Sequence, residues 1–458
     1  MQKQLAIKIL VIVAIGIAII IPINLVKHKI YERQGYLEQA KYAVAESWTG
    51  EQLLMTPILV IPYQLKAQPK TGFYTQNQQA VSTEINTKKL ETIVPTNITG
   101  SINVSNKNVF KGIYEVPVYN SEISFSGQFS AEEIKGRITQ IKSLPNYSNM
   151  EKAYISIHIS DMRGIDERPK LTINKKLTDL YPGSQLSGLS AGLHSELQDD
   201  LSNIGSIDFN VLLSLRGMGS LSFITLADDS HINMQSDWPH PKFIGSSLPK
   251  DRSVSSSGFN AQWQSTRYSS NSFSSLKQCN NNNQCHALIS SSSGVSFIDP
   301  VDIYLQSERS TKYAMLFIGL SFITFFIFEH IKQVRIHPIQ YGFVGLSIAT
   351  FYLLLISLAE HIAFHWAYLI GVTCCSSLLL FYVRYMLKKL SSALLFCVMT
   401  ITLYGLLYVI VQAEDFALLM GAFLVFIVLA TLMVVTRKID WYSLSNTNES
   451  NNKAIKHF

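Results

Sequence analysis

Apolar residues in this chain are gathered into six long runs. Between the first and the second, residues 27–312 contain no run of comparable length. The first, LAIKILVIVAIGIAIIIPINLV, occupies residues 5–26, and the others fall at 313–329, 340–359, 364–383, 391–411 and 416–436. A helix needs about 20 apolar residues to cross hydrocarbon. The pattern therefore predicts a membrane protein of six transmembrane α-helices, with one large domain inserted between helices 1 and 2. Residues 1–26 read as a retained anchor. Lys3 and Lys8 give them a basic start, but the run passes through Pro22 and Asn24 to Lys27 with no small-x-small cleavage pattern. A five-helix transmembrane domain, 313–436, and a tail, 437–458, complete the organisation.

Basic residues in the short loops set the orientation. Lys332 and Arg335 follow the second run, Arg384, Lys388 and Lys389 the fourth, and Arg437 and Lys438 the sixth. The alternate loops carry Glu360, then Glu414 and Asp415. This places both termini in the cytoplasm and the 27–312 domain outside, in the periplasm. Lys27, Lys29 and Arg33 point the other way, diluted by Glu32 and Glu38.

The inserted domain begins with a helical stripe, Ile30, Leu37, Ala40 and Val44, that ends near Thr49 and Gly50. PILVIPY (57–63) then reads as a buried strand. Period-two segments follow at 122–130, 153–160, 208–215, 219–226 and 259–265. Such alternation marks antiparallel sheet with one buried face, so the domain should be mainly β and sandwich-like. The Ser- and Asn-crowded stretch 253–294 offers little to bury and is expected to form loops. Cys279 and Cys285 lie within it, six positions apart, where an oxidising compartment favours a disulfide. Two thiolates alone do not complete a zinc shell. Cys374, Cys375 and Cys397 fall inside spans, as small apolar groups.

Few motifs carry chemistry. SDWPHPKFIG (236–245) holds two prolines, each of which pushes the preceding residue out of the helical region. Trp238 to Pro241 should then be a stiff, extended strip. Trp238 either plugs the core where strands turn or, with His240, offers a recognition edge. His240 has no acid–base partner at readable spacing. In DMRGI (161–165), Asp161 and Arg163 are placed to pair across a turn completed by Gly164, as architecture or as ligand contacts. GLSAG (188–192) fits the G-x-S-x-G pattern of a hydrolase elbow around Ser190, but the preceding YPGSQLS is turn-forming, not a strand. GMGS (217–220) lacks the third glycine of a dinucleotide loop. Glu360, His361 and His365 sit at a membrane boundary beside the belt residues Trp366 and Tyr368. No catalytic residue, metal ligand or cofactor is assigned. A net charge of +6 over 458 residues gives no reason to invoke nucleic acid.

The spans hold only Ser, Thr, Cys, Tyr and Asn24 in their interiors, and Glu329 stands at an end. Ion-coupled carriers usually handle charge in mid-membrane, so coupled transport is disfavoured. Gly342, Gly345, Ala349 and Gly371 suggest close helix packing.

The chain resembles the CreD family of bacterial inner-membrane proteins, also called cell envelope integrity proteins. The likeness rests on residues 308–329, 336–361 and 437–445, on DMRGI, SDWPHPKFIG and SGFNAQW (257–263), and more loosely on TPILVIPY (56–63). The Ser/Asn-rich loops, the cysteine pair and His365 depart from it. The resemblance implies an envelope role associated with the Cre two-component system, and it carries over no catalytic residues. Two classes of function stay open. One is a non-enzymatic protein, held in the lipid bilayer, that binds an envelope component. The other is an envelope-modifying hydrolase using Ser190. Facilitated transport is a more distant third.

Overall fold

The strand Ile207–Met218 shows how a period of two becomes a sheet. Ile207, Phe209, Val211, Leu213 and Leu215 are buried, while Asp208, Asn210 and Leu212 face outward. The computed structural model describes residues 2–66, 86–198, 205–297, 303–332, 336–387, 390–412 and 417–437. It divides the chain into two compact units. One is Gln39–Pro300; the other combines Met1–Glu38 with Val301–Phe458.

The first unit is rich in β-structure, arranged as three sheets. The widest has eight strands, in the order Asp251–Ser255, Gly258–Thr266, Asp229–Ser236, Asn97–Lys111, Tyr114–Phe129, Ile207–Met218, Lys170–Ile173, Lys176–Thr178. Its centre is one long hairpin, Asn97–Lys111 with Tyr114–Phe129, paired from Asn97↔Gln128 to Lys111↔Tyr114. Gly112 turns that hairpin with φ +63°, the conformation a two-residue loop demands at its first position. A six-stranded sheet is built around Ile58–Lys66, whose first residues are buried on both faces. A four-stranded sheet runs Gln52–Met55, Ser220–Ile224, Ser293–Phe297, Pro241–Gly245.

All three sheets feed one core. Ile102 and Phe125 come from the widest sheet, Leu59 and Ile155 from the second, Phe223 and Val295 from the third. Burying a side chain of this size contributes about 1.5–3 kcal/mol. Alternation predicts a mainly β, sandwich-like domain; the structure has three sheets, the third gathering Gln52–Met55 beside Ser220–Ile224 in parallel, a partner that local patterning does not reveal.

One element of this unit is new and one expectation changes. Ala131–Lys142 is a helix, capped by Ser130 Oγ accepting from Glu132 N at 3.2 Å, with Ile134, Ile138 and Ile141 buried at helical spacing. The Ser/Asn-rich stretch is not a set of loops. Around the expected strand at 259–265, which is Gly258–Thr266, it forms a further strand, Asp251–Ser255, and two helices, Ser272–Asn282 and His286–Ser290. Its few apolar residues explain this. Leu276, Cys279, Cys285 and Leu288 are buried in one cluster with Met55, Ile58 and Val60. Asn283 closes the first helix in the left-handed conformation, φ 55°, its N–H donating to Cys279 O at 2.9 Å. The sulfurs of Cys279 and Cys285 are bonded to each other.

The second unit is helical. Among the described residues, four helices are long and apolar enough to cross a membrane: Ile7–Ser47 with its apolar first part, Pro338–Ala359, Phe364–Met386 and Leu390–Gln412. The apolar stretch Ala314–Phe326 and the helix Ala417–Thr436 accompany them. The first helix is interrupted at Ile19, four residues before Ile23. Pro22 accounts for that, because it offers no N–H and its ring crowds the carbonyl of Ala18. His337 caps Pro338–Ala359: its Nδ1 accepts from Ile339 N at 3.4 Å, and Gln340 Oε1 accepts from His337 N at 2.9 Å. Gly345 lies where helices meet most closely, since an added Cβ would run into Ile19 and Phe322. The loop residues Arg335, Lys388, Lys389, Glu414 and Asp415, and the tail from 438 on, lie outside the described residues.

Candidate functional site

In the β-rich unit, Asp161 ends the run after the strand Tyr154–His158 and caps the short 3-10 turn Met162–Gly164. Its Oδ1 accepts from Arg163 N at 3.0 Å. The Arg163 guanidinium then grips the same carboxylate, Nη2 to Oδ2 at 2.6 Å and Nε to Oδ1 at 3.0 Å. Arg163 Nη1 donates to Glu46 O at 2.9 Å, satisfying a carbonyl in the last turn of the helix Ile20–Ser47. Buried Gln52 stitches the other side, donating to Asp161 O and Arg216 O, both at 3.1 Å. Gly164 is glycine because the space is full. A Cβ there would sit 2.6 Å from Arg216 O and closer still to the Gln52 amide. The hydrogen bonds from Arg163 hold the Asp161 carboxyl below the usual carboxylate range. The motif is a clasp at a corner.

Trp238 and His240 form a bend, not an extended strip. The indole N–H donates to His240 O at 3.2 Å, and Trp238 N donates to Ser236 Oγ at 3.2 Å. An indole N–H needs an acceptor when its ring is covered, and the bend supplies one. Trp238 is half-buried against the core, its ring edge-on to Phe297 at 6.4 Å, while His240 is exposed. Pro241 then opens the edge strand Pro241–Gly245, a position that tolerates a missing donor.

Ser190 is exposed on a loop that leads into the strand Gly192–Glu196, so the strand–turn–helix elbow is not formed. The histidines of this region are spent on the backbone: His158 Nδ1 lies 2.8 Å from Ala191 O, and His194 Nδ1 2.6 Å from Gly183 O. Burial lowers the His158 pKa, keeping that ring neutral. GMGS joins two strands, Ile207–Met218 and Ser220–Ile224, and offers no helix N-terminus.

The helical unit holds a group that the sequence did not reveal. Lys8, from the first apolar run, pairs with Glu329, and its Nζ also donates to Ile336 O at 2.7 Å. Tyr341 OH donates to Glu329 Oε2 at 2.9 Å. Their side chains are 21% and 11% exposed. Elsewhere in the same unit Glu360, 9% exposed, takes Arg33 Nε at 3.4 Å and Tyr304 OH at 3.3 Å. His361 and His365 are exposed. Among the described residues no group of three or more His, Cys, Asp or Glu is placed to hold a metal ion.

What remains is a surface. The outer face of the eight-stranded sheet is polar and carries two shallow clefts, of about 290 Å³ beside Ser101 and Ser124 and about 220 Å³ beside Asn233 and Gln262. Period-two reading predicted such an outward face without singling out any residue on it.

The family model for Inner membrane protein CreD matches residues 4–442. This chain belongs to the CreD family. It is 32% identical to Inner membrane protein CreD of Escherichia coli (strain K12) over 429 residues, which is 93% of this chain and 91% of that protein. As a CreD-family protein it is an inner-membrane protein with transmembrane helices and a large β-rich unit. A structure of native yeast LTA4 hydrolase aligns with 37% of this chain and 26% of its own at a TM-score of 0.18 and 8% identity, too slight a likeness to carry any argument.

Proposed function

We propose that this CreD-family protein is non-enzymatic and supports the integrity of the cell envelope by binding an envelope component through its β-rich unit. In this reading six helices cross the membrane, both termini are cytoplasmic, and residues 27–312 are periplasmic. The observation that carries it is how the side chains of the β-rich unit are used. Asp161, Arg163, His158 and His194 are committed to backbone or to each other, Ser190 lacks an elbow, and one broad sheet face is left for recognition. The bonded Cys279–Cys285 pair supports an oxidising compartment for this unit.

Tyr268 is 98% exposed and gives a clean reporter. With Cys374, Cys375 and Cys397 replaced by alanine, a Tyr268→Cys variant should react with a membrane-impermeant maleimide in intact spheroplasts. Reaction only after lysis overturns the topology. Ser190→Ala should restore the envelope phenotype of a deletion strain in full, and loss of rescue overturns the non-enzymatic reading.

A further inference from the structure

The long hairpin Asn97–Lys111 with Tyr114–Phe129 outruns the sheet to which it belongs. On one flank, pairing with Asp229–Ser236 stops at Val104↔Ser236; on the other, pairing with Ile207–Met218 stops at Val118↔Met218. Beyond those points the hairpin goes on alone, from Asn108↔Pro117 to Lys111↔Tyr114. At about 3.4 Å per residue this free ribbon projects roughly 14 Å. A bare two-stranded ribbon is only marginally stable in water. This one is braced on one face by the helix Ile20–Ser47: Val44 is buried with Val116 and Val118, beside half-buried Val109 and Trp48.

The bracing gives the ribbon a direction. Its root lies at the C-terminal end of the helix, where Lys107 Nζ is 4.2 Å from the centre of the Trp48 ring and Met218 N donates to Gly50 O at 3.0 Å. One helical turn earlier, Val44 clusters with Val109 and Val116, a pair further out along the ribbon. Moving toward the tip is therefore moving toward the N-terminal end of that helix, which begins inside the apolar run 5–26.

The tip itself is apolar. Phe110 is 68% exposed and Ile113 54%. Apolar side chains scattered singly over a surface need no explanation, but these two share one turn, where turn chemistry favours Gly, Asn, Asp or Ser. Exposed Lys107 and Lys111 accompany them. The ribbon's carboxylate, Glu115, stands one rung behind the last pair, where Asn108 Nδ2 donates to it at 2.5 Å. Apolar side chains at a point, with cations behind them to meet phosphate, suit the boundary between lipid headgroups and acyl chains.

We infer that the tip of this hairpin docks on the lipid bilayer, with Phe110 and Ile113 among the upper acyl groups and Lys111 at the lipid phosphates. The ribbon then acts as a strut, a second attachment of the β-rich unit to the membrane besides the helix that runs into it. Lipid phosphates line both surfaces of a bilayer, so the inference holds whichever side this unit occupies.

The test uses the full chain, one molecule per nanodisc of phosphatidylethanolamine and phosphatidylglycerol, with Cys374, Cys375 and Cys397 replaced by alanine. Ile113→Cys carries a polarity-sensitive fluorophore; Tyr268→Cys, at a site 98% exposed, carries the same dye as reference. Emission from position 113 is expected to be blue-shifted relative to 268, and to be quenched by lipids bearing a nitroxide high on the acyl chain. Adding Phe110→Ser to the labelled protein should leave its thermal midpoint unchanged and lower the ratio of docked to free tip about ten-fold, the worth of one buried aromatic side chain. Emission at 113 that matches 268 and escapes the nitroxide overturns the inference. Quenching indifferent to Phe110→Ser does so as well, since the dye would then be its own anchor. A blue shift without quenching also overturns it, because protein and not lipid would be covering the tip.

Discussion

Two ion pairs, one in each unit, use the same kind of chemistry in different surroundings. Arg163 and Asp161 meet with side chains 61% and 23% exposed; Lys8 and Glu329 meet with theirs 21% and 11% exposed. Water competes for the first pair and screens it, so the charges themselves contribute little. Its value lies in neutral work: a capped turn and a satisfied helix carbonyl. The second pair has given up most of its water, and each charge depends on the other. The difference teaches that a charge inside an apolar run is tolerated where a distant partner and nearby polar groups, here Ile336 O and Tyr341 OH, are brought to it.

That contrast can be broken most forcefully at Lys8. Lys8→Ala or Glu329→Ala should each destabilise the micelle-solubilised protein by about 3–5 kcal/mol, while Lys8→Met with Glu329→Met should recover much of the loss. Denaturant or thermal unfolding checks this, and a silent Lys8→Ala would make the two pairs equivalent. Gly164→Ala tests whether the corner depends on space instead of charge. The added methyl meets Gln52 and Arg216 O, and overpacking of this kind costs about 1–3 kcal/mol. Unchanged stability would mean the corner has room to relax. The smallest effect is expected at Asp161 itself. Asp161→Ala should cost about 1 kcal/mol, mostly the lost cap. The Asp161 pKa is depressed in the folded state by Arg163, so its contribution is present above the unfolded value of about 3.9 and fades as pH falls through the folded one. The difference between wild type and Asp161→Ala should therefore shrink below about pH 4. A difference that grows on acidification would reverse that sign.

The sequence made the apolar helices legible because membrane helices must satisfy their backbone locally, and a run of apolar residues is then sufficient evidence. The strands at 122–130 and 208–215 were legible for the matching reason, one buried face each; Tyr154–His158 alternates in sequence but is buried on both faces. Asp161 and Arg163 are two residues apart, so their pairing was within reach of local reasoning. Lys8 and Glu329 are separated by 321 positions, and nothing local announces such a meeting. The helix Ala131–Lys142 was missed although its signal was present: Ser130 and Glu133 stand at capping-box spacing before an isoleucine stripe. The Ser/Asn-rich stretch misled through composition. Seven buried residues, Phe259, Ala261, Trp263, Leu276, Cys279, Cys285 and Leu288, outweighed some thirty polar neighbours in deciding its structure. The outer sheet face was visible only as a period, because which residues lie side by side on it is settled once strands distant in sequence have paired.

The long hairpin Asn97–Lys111 with Tyr114–Phe129 also has a consequence for how the protein is made. Its contacts are local and its turn is two residues, so it can close as soon as residue 129 is free. The neighbours on either flank arrive much later: Ile207–Met218 on one side, Asp229–Ser236 on the other. Gln52–Met55, synthesised before any of these, waits for Ser220–Ile224 to give it a partner. For the interval in which some 170 residues are added, Leu54 and Met55 lack the parallel partner strand that covers them, while the neighbouring strand Ile58–Lys66 already has Asn86–Ile93 within reach. Newborn chains of this protein should thus be most vulnerable to aggregation at their oldest β-strand.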